Sequence, residues 1–367
     1  MTRKIRVGLL FGGRSGEHEV SLASASSVLA ALDPEKYEPV GIGITRRGEW
    51  LMSSTPDRLL AREVTAETAD AVEVAPDFAR HTIVPVNGHR DPDGAHPGVD
   101  VVFPLLHGPY GEDGTVQGFL ELAGIPYVGS GVLGSAVSMD KVVMKNLFEQ
   151  AGLAQVPYTL VRGHDWRRDS HGIVADLEGH LSYPVFVKPC NLGSSVGISK
   201  AHDRQELRDA LDHAARFDGR LIVEQGVDAR EVECSVMGNE EPMASVPGEI
   251  VSHHEFYDYE SKYTDGLADL IIPARLSREA TNVVRELAVR AFEAVDAAGL
   301  ARVDFFVRRS DGEILVNEIN TMPGFTATSM YPKLWEASGV PYSELIDRLI
   351  AYALRRHQQR QERSAER

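Results

Sequence analysis

The sequence predicts a mixed fold, in which a doubly wound α/β domain is followed by smaller α+β segments. Apolar runs at residues 5–11, 37–45 and 99–106 surround a small-residue helix, a pattern typical of buried parallel strands. From residue 156 onward, short β-rich runs alternate with amphipathic helices and with turn residues. The 367 residues are enough chain for two or three domains.

Composition narrows the class of protein. The chain has 54 acidic and 38 basic residues, a net charge of −16, which argues against a nucleic-acid or anionic membrane surface as the main partner. No apolar run has the length of a membrane span or of a signal peptide's core. Only Cys190 and Cys234 are present, so we expect no disulfide framework and a reducing cytoplasm.

The first element is a strand, IRVGLLF, which leads through the glycine turn GGRSG into the helix VSLASASSVLAAL. With the strands at 37–45 and 99–106 it forms a Rossmann-like domain over residues 1–137. Residues 50–98, rich in Asp, Pro, Gly and His and including HRDPDGAHPG, are predicted to be an irregular exposed insertion.

A central α+β segment is predicted over residues 138–225. A helix at 135–153 closes at Gly152, and strands at 156–161, 183–189 and 220–225 lie around a helix at 204–217. Residues 226–352 hold a hairpin and two further helices, at 277–299 and 343–356. The polar end, 353–367, is predicted to be a flexible tail.

The hairpin carries the first candidate site. Its strands, RVDFFV and EILVNEIN, flank the turn signal Ser310-Asp311-Gly312. Alternation places Arg302 and Asp304 on one face of the first strand, and Glu318 and Asn320 on one face of the second. Carboxylates are costly to bury without compensation, and oxygen ligands suit Mg²⁺. The spacing alone is equally compatible with an ordinary hairpin whose acids face solvent.

A candidate phosphate site follows the strand VFVKP. Lys188 supplies charge, and the loop with Ser194 and Ser195 between two glycines could wrap phosphate oxygens with its backbone amides. A flexible hairpin turn is the alternative. Further candidates for a nucleotide are Lys141 at a helix start and Glu224, Gln225 and Glu231 around the end of the strand RLIVEQ, each of which could equally be structural.

Three other segments attract attention. The loops GGRSGEHEVS and LLHGPYGEDGTVQG follow apolar strands, where open α/β sheets bind ligands, and place Glu17 and His107 there. The aromatic and charged run HHEFYDYESKYTDG suits a lid that excludes water. The glycine pattern Gly129-Ser130-Gly131-Val132-Leu133-Gly134 is a weak dinucleotide signal, because no acidic strand end follows it.

Taken together, these motifs resemble the ATP-grasp family over roughly residues 4–350. The resemblance rests on GGRSGEHEVS, HGPYGEDG, SMDK, VKPCNLGSSVG, YDYESKY, RVDFF and NEINTMPGFTATSM, which appear in the family's order. It implies a Rossmann-like N-terminal domain followed by a two-subdomain ATP-grasp fold. It further implies ATP-dependent ligation of two D-alanine molecules through D-alanyl phosphate, for peptidoglycan synthesis, in a cytoplasmic homodimer.

The resemblance also implies roles for individual residues. Two Mg²⁺ ions, replaceable by Mn²⁺, would bind Asp304, Glu318 and Asn320. The implied ATP ligands are Lys141, Lys188, Ser194, Ser195, Glu224, Gln225 and Glu231. The implied catalytic residues are Glu17, Ser194, Tyr263, Arg302 and Gly324, and the implied substrate contacts are His107, Lys262, Ser329 and Met330.

Two alternatives remain open from the sequence. One is a ligase with a different second substrate, D-lactate or D-serine, although Tyr263 favours the amide product. The other is a nucleotide-binding module that has lost turnover, which the joint presence of Lys141, Lys188, Arg302, Asp304 and Glu318 argues against.

Overall fold

Three β-sheets carry the fold, and each is formed by a consecutive part of the chain. The computed structural model describes residues 3–53, 55–60, 72–77, 82–85, 98–193, 196–252 and 268–365. Within these residues the first sheet contains parallel pairs, and the second and third sheets are antiparallel. The predicted α/β domain followed by α+β segments is therefore confirmed.

The first sheet is built around a buried strand with a parallel neighbour on each side. Its strands are β1 (Ile5–Gly12), β2 (Tyr37–Ile44), β3 (Trp50–Ser53), β4 (Val72–Asp77), β5 (Thr82–Pro85) and β6 (Val101–Pro104). Its helices are α1 (His18–Ala31), α2 (Pro56–Leu60), α3 (Thr115–Leu122) and α4 (Val132–Met139). Alternate β1 side chains enter different cores, since Leu9 and Phe11 pack with α1 and Leu10 packs with α3.

The prediction of an irregular exposed insertion at 50–98 is wrong for much of that stretch. β3 pairs with β2, and β4 and β5 extend the sheet to its edge in the order β5-β4-β3-β2-β1-β6. Leu51, Met52 and Leu59 are buried in the cores of this unit. Strands of four to six residues carry too little alternation to stand out from their polar surroundings. Most of HRDPDGAHPG lies outside the described residues.

The second sheet is antiparallel, with the strand order β7-β10-β8-β9. Its strands are β7 (Tyr158–Arg162), β8 (Val185–Pro189), β9 (Ser199–Ala201) and β10 (Arg220–Gln225), and its helices are α5 (Lys141–Gln150), α6 (Gly163–Arg168), α7 (Ser170–His180) and α8 (Arg204–Ala214). The apolar stripe of α8, including Leu207 and Leu211, packs on Leu221 and Val223 of β10. Ile222, between them, faces α5 instead.

The single helix predicted at 135–153 is two helices, α4 and α5, that meet at Asp140. The Asp140 carboxylate accepts the backbone N–H groups of Val142 and Val143 at 3.1 and 3.0 Å. This is an N-cap, and it starts a new helix at Lys141. Arg220 of β10 pairs with the same carboxylate, so the break is fixed to the second sheet.

The third sheet has the strand order β14-β13-β11-β15-β16, with β12 also pairing with β11. Its strands are β11 (Ala229–Gly238), β12 (Met243–Ala244), β13 (Gly248–Ser252), β14 (Ala268–Ile271), β15 (Gly299–Arg308) and β16 (Ile314–Asn320). Its helices are α9 (Arg278–Ala294), α10 (Met330–Ala337) and α11 (Tyr342–Ala365). The predicted hairpin is confirmed as β15 and β16. Val232, Val303 and Phe305 pack under α9, which sends the intervening charged side chains to the opposite face.

The first and third sheets share a hydrophobic core, whereas the second sheet has a core of its own. Leu9 and Phe103 of the first sheet belong to one cluster with Leu300, Phe325 and Tyr331. The rings of Phe103 and Phe325 meet edge to face, with centroids 5.4 Å apart. The core of the second sheet is built from residues 161–223. Beside this core, the backbones at Gly129 and Gly299 approach so closely that a Cβ at Gly299 would lie 3.1 Å from the Gly129 nitrogen. Glycine at these positions therefore allows the first and third units to pack together.

The structure differs from the flexible tail predicted at 353–367, because α11 continues to Ala365. Arg356 donates to the carbonyls of Gly129 and Tyr127, and its guanidinium lies 4.8 Å from the centre of the Tyr127 ring. Arg360 pairs with Glu121 at 2.5 Å. These partners are distant in sequence, so local patterns do not reveal them. No helix in the described ranges is long and apolar enough to cross a membrane.

Replacing Arg356 by Ala should weaken the attachment of α11 to the first unit. The buried guanidinium makes two charge-assisted hydrogen bonds, so the free energy of unfolding should fall by about 2 kcal/mol. Urea unfolding followed by circular dichroism would measure the change. The matched control is Arg355→Ala, because Arg355 is 65% exposed and its ion pair with Glu240 is long, at 3.9 Å. A control loss as large as that of Arg356→Ala would contradict the assignment.

Candidate active site

Two adjoining cavities lie where the three units meet. The larger, about 490 Å³, lies between the second and third sheets. The smaller, about 100 Å³, lies between the first unit and the third sheet. Lys141, Leu192, Gly193 and Glu318 line both. The start of α5, the loop before residue 194 and the hairpin therefore form the boundary between the two spaces.

The charged face of the third sheet supplies the acidic side of this boundary. Glu233, Asp304 and Glu318 are paired neighbours on β11, β15 and β16, and Arg302 is paired with Asn320 one step along. A register shift beside Asp304 sets Glu318 opposite it. The alternation inferred from sequence is confirmed, and tertiary pairing adds Glu233, which no motif marks.

Arg302 is the cation that compensates these carboxylates. Its guanidinium makes two hydrogen bonds of 2.7 Å to the two oxygens of Asp304, and its Nε lies 3.0 Å from Glu233. Burial would lower the pKa of Arg302, but Asp304 and Glu233 outweigh it and raise that pKa well above its usual value. Arg302 lines the smaller cavity as a permanent, oriented positive charge.

The donor atoms at the boundary fit a hard divalent cation. Asp304 and Glu318 offer carboxylates, and the Asn320 amide oxygen is oriented by the N–H of Met322 at 3.0 Å. Among the described residues, no group of three His, Cys, Asp or Glu side chains forms a ready-made metal site. An ion here would therefore complete its shell with Asn320, water and substrate oxygens, which is the habit of Mg²⁺.

On the other side of the larger cavity, a buried carboxylate lies between two lysines. Glu224 of β10 is 2.5 Å from Nζ of Lys188 and 3.0 Å from Nζ of Lys145. Burial would raise the pKa of Glu224, but the two lysines outweigh it and lower it to about 2. Burial would likewise lower the pKa of Lys188, which Glu224 and Glu318 raise instead. Lys145 is missing from the sequence motifs, and its one signal is the i,i+4 spacing from Lys141 on α5.

Lys141 is held against the loop that follows β8. Its Nζ donates to the carbonyl of Leu192 at 2.7 Å, and its backbone N–H donates to Cys190 at 3.0 Å. Gly193 is next in the loop, and a Cβ there would lie 3.6 Å from Glu17 Oε2. The predicted lysines and the first-domain acid therefore converge on one loop.

The rest of the larger cavity offers apolar walls and two more predicted residues. Val156, Phe186 and Ile250 line it, as do Gln225 and Glu231. The Gln225 side chain accepts the N–H of Ser182 at 3.1 Å, a bond that braces the end of β10. Phe186, like Lys145, is not among the residues that the sequence predicts for the site. The amine of Lys200 lies over its ring, 5.9 Å from the ring centre.

Glu17, His107 and Glu112 form the first-domain side of the smaller cavity. His107 Nδ1 lies 3.1 Å from the Met322 carbonyl and 3.5 Å from Glu112, while its Nε2 is 3.1 Å from Ser24 Oγ. Burial would lower the pKa of His107, but Glu112 and Glu17 raise it overall. Burial also raises the pKa of Glu112. Glu112 therefore faces the cavity together with Glu17 and His107.

The predicted second-substrate residues lie at the end of the hairpin. Gly324 lines the smaller cavity, and a Cβ on it would lie 3.2 Å from Ser329 Oγ. That hydroxyl also contacts Thr326 Oγ1 at 2.7 Å. The Met330 side chain is buried beside Leu334, so its contribution to the site would come from its backbone N–H at the start of α10. Ser194, Ser195, Lys262 and Tyr263, together with the whole of the predicted lid, lie outside the described residues.

Solved structures of similar shape are ligases. A D-alanine–D-alanine ligase from Coxiella burnetii superposes with a TM-score of 0.86 at 36% identity, covering 98% of this chain and 96% of that one. The VanG D-Ala:D-Ser ligase from Enterococcus faecalis gives a TM-score of 0.85 at 36% identity, over 96% of this chain and 100% of that one. Both likenesses extend over all three units.

Sequence comparisons lead to the same group. A D-alanine–D-alanine ligase from Geobacillus thermodenitrificans is 49% identical over 362 residues, 98% of each chain. One from Natranaerobius thermophilus is 48% identical over 364 residues, 99% of each chain. The family model of the ligase N-terminus matches residues 6–130, and that of the C-terminus matches residues 147–351. With its ATP-grasp fold and matches to both halves, the chain belongs to the D-alanine–D-alanine ligase family.

Proposed function

We propose that the protein uses ATP and Mg²⁺ to join two D-alanine molecules into D-alanyl-D-alanine, through a D-alanyl phosphate, as a precursor of peptidoglycan. One observation carries the proposal: a single hairpin lines both cavities, with Asp304 and Glu318 facing the larger, and Arg302, Asn320 and Gly324 facing the smaller. A phosphate donor and its acceptor could therefore meet at Glu318.

In this proposal ATP occupies the larger cavity, whose volume of about 490 Å³ suits a small-molecule ligand. Lys141 and Lys188 bind its phosphates at the boundary, with the loop of Ser194 and Ser195. The base lies against the apolar walls, near Glu224 and Gln225. Glu231 of β11, which lines the same cavity, binds the ribose hydroxyls.

Ligases of this family use ATP with a divalent metal ion. Here Asp304, Glu318 and Asn320 would hold two Mg²⁺ ions, or Mn²⁺ in their place. When bound, the ions supply positive charge to phosphate oxygens as charge develops on them. Arg302 orients the Asp304 carboxylate through two hydrogen bonds of 2.7 Å.

The first D-alanine lies in the smaller cavity with its ammonium on Glu17, which Ser194 and Tyr263 support. Its carboxylate oxygen attacks the γ-phosphorus of ATP, the bond to ADP breaks, and D-alanyl phosphate forms. Lys262 is the proposed cation for the transferred phosphate, and the acyl phosphate must be kept from water.

The second D-alanine binds with its carboxylate on Ser329 and the backbone N–H of Met330, and His107 lines its site. Its amine, free of a proton, attacks the acyl carbon. A C–N bond forms, the C–O bond to phosphate breaks, and phosphate leaves with the bonding electrons. Arg302 and the N–H of Gly324 stabilise the oxyanion of the tetrahedral intermediate.

The cellular setting is part of the same proposal. A cytoplasmic location gives access to ATP, and a homodimer is the assembly that the family resemblance implies. Sedimentation equilibrium at several protein concentrations would measure the assembly, and a mass of 40.2 kDa at every concentration would exclude the dimer.

The product identifies the second substrate. With D-alanine, D-serine and D-lactate offered together, ATP and Mg²⁺ should yield D-alanyl-D-alanine as the main product by mass spectrometry. L-Alanine alone should release no phosphate, because Glu17 fixes the ammonium on one side of the reacting carboxylate. A mainly mixed product, with D-serine or D-lactate in the second position, would contradict the proposed specificity.

Glu318→Gln should remove a charge from the proposed metal site while keeping the side chain's shape. We expect kcat to fall by about 1,000-fold, because several kcal/mol of charge stabilisation are lost. The melting temperature should stay within a few degrees. The control is Glu313→Gln in the same hairpin, since Glu313 is 44% exposed and pairs with Arg308. Unchanged turnover in Glu318→Gln would refute the metal assignment.

Glu17→Gln should raise the KM for the first D-alanine by about 10-fold to 100-fold, because a charge-assisted contact to the ammonium is lost. The KM for ATP should change less than about twofold. The control is Glu19→Gln on the same turn, where Glu19 is 72% exposed and pairs with Arg46. Steady-state phosphate release would measure both KM values, and equal effects of the two substitutions would count against the Glu17 assignment.

A further inference from the structure

Lys145 is a buried charge that the proposed reaction leaves without a role. Its side chain is 1% exposed, and neither cavity is lined by it. The amine lies 3.0 Å from Glu224 and 5.5 Å from the centre of the Tyr158 ring. Burying a lysine is costly unless its charge is compensated, so a specific interaction must hold it there.

Strand pairing explains why Glu224 can serve two lysines. Glu224 pairs with Tyr158 on β7 and with Phe186 on β8, and Lys188 is two residues beyond Phe186 on the same face of the sheet. Lys188 therefore approaches Glu224 from the cavity side, and Lys145 approaches from α5. Each lysine takes a different carboxylate oxygen.

The charge count of this triad depends on Lys145. Two ammonium groups and one carboxylate leave one excess positive charge, and of the two lysines it is Lys188 that lines the larger cavity. Without Lys145, Glu224 would face Lys188 alone, in a closed one-to-one ion pair 2.5 Å long. An ammonium neutralised in this way attracts a phosphate much less strongly.

We propose that Lys145 is a positioning residue of the nucleotide site, which holds Glu224 from behind and balances its charge so that Lys188 presents a net positive charge to the ATP phosphates. This rests on the proposed role of Lys188 in ATP binding. Lys145 itself touches no substrate, so its effect passes through Glu224.

The test compares Lys145→Met and Lys145→Gln with Lys188→Met in the full-length enzyme. Met keeps the apolar stem beside Tyr158, and Gln offers Glu224 an uncharged polar group in place of the ammonium. Both Lys145 variants should raise the KM for ATP by about tenfold, and calorimetry should show a similar rise in the Kd of Mg-ADP. The KM for D-alanine should change by less than about twofold. If one variant fails to fold, the other still decides the outcome.

A double-mutant cycle separates charge balance from packing. In a Glu224→Gln background no carboxylate remains to be balanced, so Lys145→Met should change the KM for ATP less than about twofold. An equal effect in both backgrounds would overturn the proposal. So would a KM for ATP that stays normal in a folded Lys145→Met enzyme while Lys188→Met raises it. If Lys188→Met leaves the KM for ATP unchanged, the proposed nucleotide site itself fails.

Discussion

The rest of the site depends on one electrostatic constraint, the burial of several charges where three units meet. Glu233, Asp304 and Glu318 line up across the third sheet, and Arg302 compensates them from within the row. Facing them, Glu224 is compensated by Lys145 and Lys188. Neither group would be stable without its counter-charges, because an unpaired buried charge costs several kcal/mol. The two groups lie on opposite walls of the larger cavity, and each group contains both acidic and basic side chains held in fixed positions.

The sequence predicts the parts of this arrangement that depend on local periodicity. Alternation is sufficient to place Arg302 and Asp304 on one strand face and Glu318 and Asn320 on the next, because a β-strand leaves each side chain only two directions. Glu233 and Lys145 could not be found in that way. Their roles come from pairing with residues on other elements, and the i,i+4 spacing of Lys145 from Lys141 does not reveal that Glu224 is its partner.

The same reasoning explains the errors in the fold prediction. The strands between residues 50 and 85 are short, and polar neighbours in the sequence obscure their alternation. The end of α11 has no apolar stripe that would predict a packed helix, and Arg356 and Arg360 hold it in place instead. Asp140 interrupts an otherwise continuous helical pattern, since its carboxylate caps α5. In each case a tertiary or capping contact prevails over propensity.

The hydrophobic cores divide the molecule into two packed parts. The first and third sheets share one core and are further joined by Arg356 and Arg360, so they form one of these parts. The second sheet packs around its own core, from Val161 to Val223. A change in the width of the larger cavity would therefore require the central sheet to shift relative to the first and third sheets, because that cavity lies between the second and third sheets. The smaller cavity has most of its walls on the first and third units and would keep those walls during such a shift.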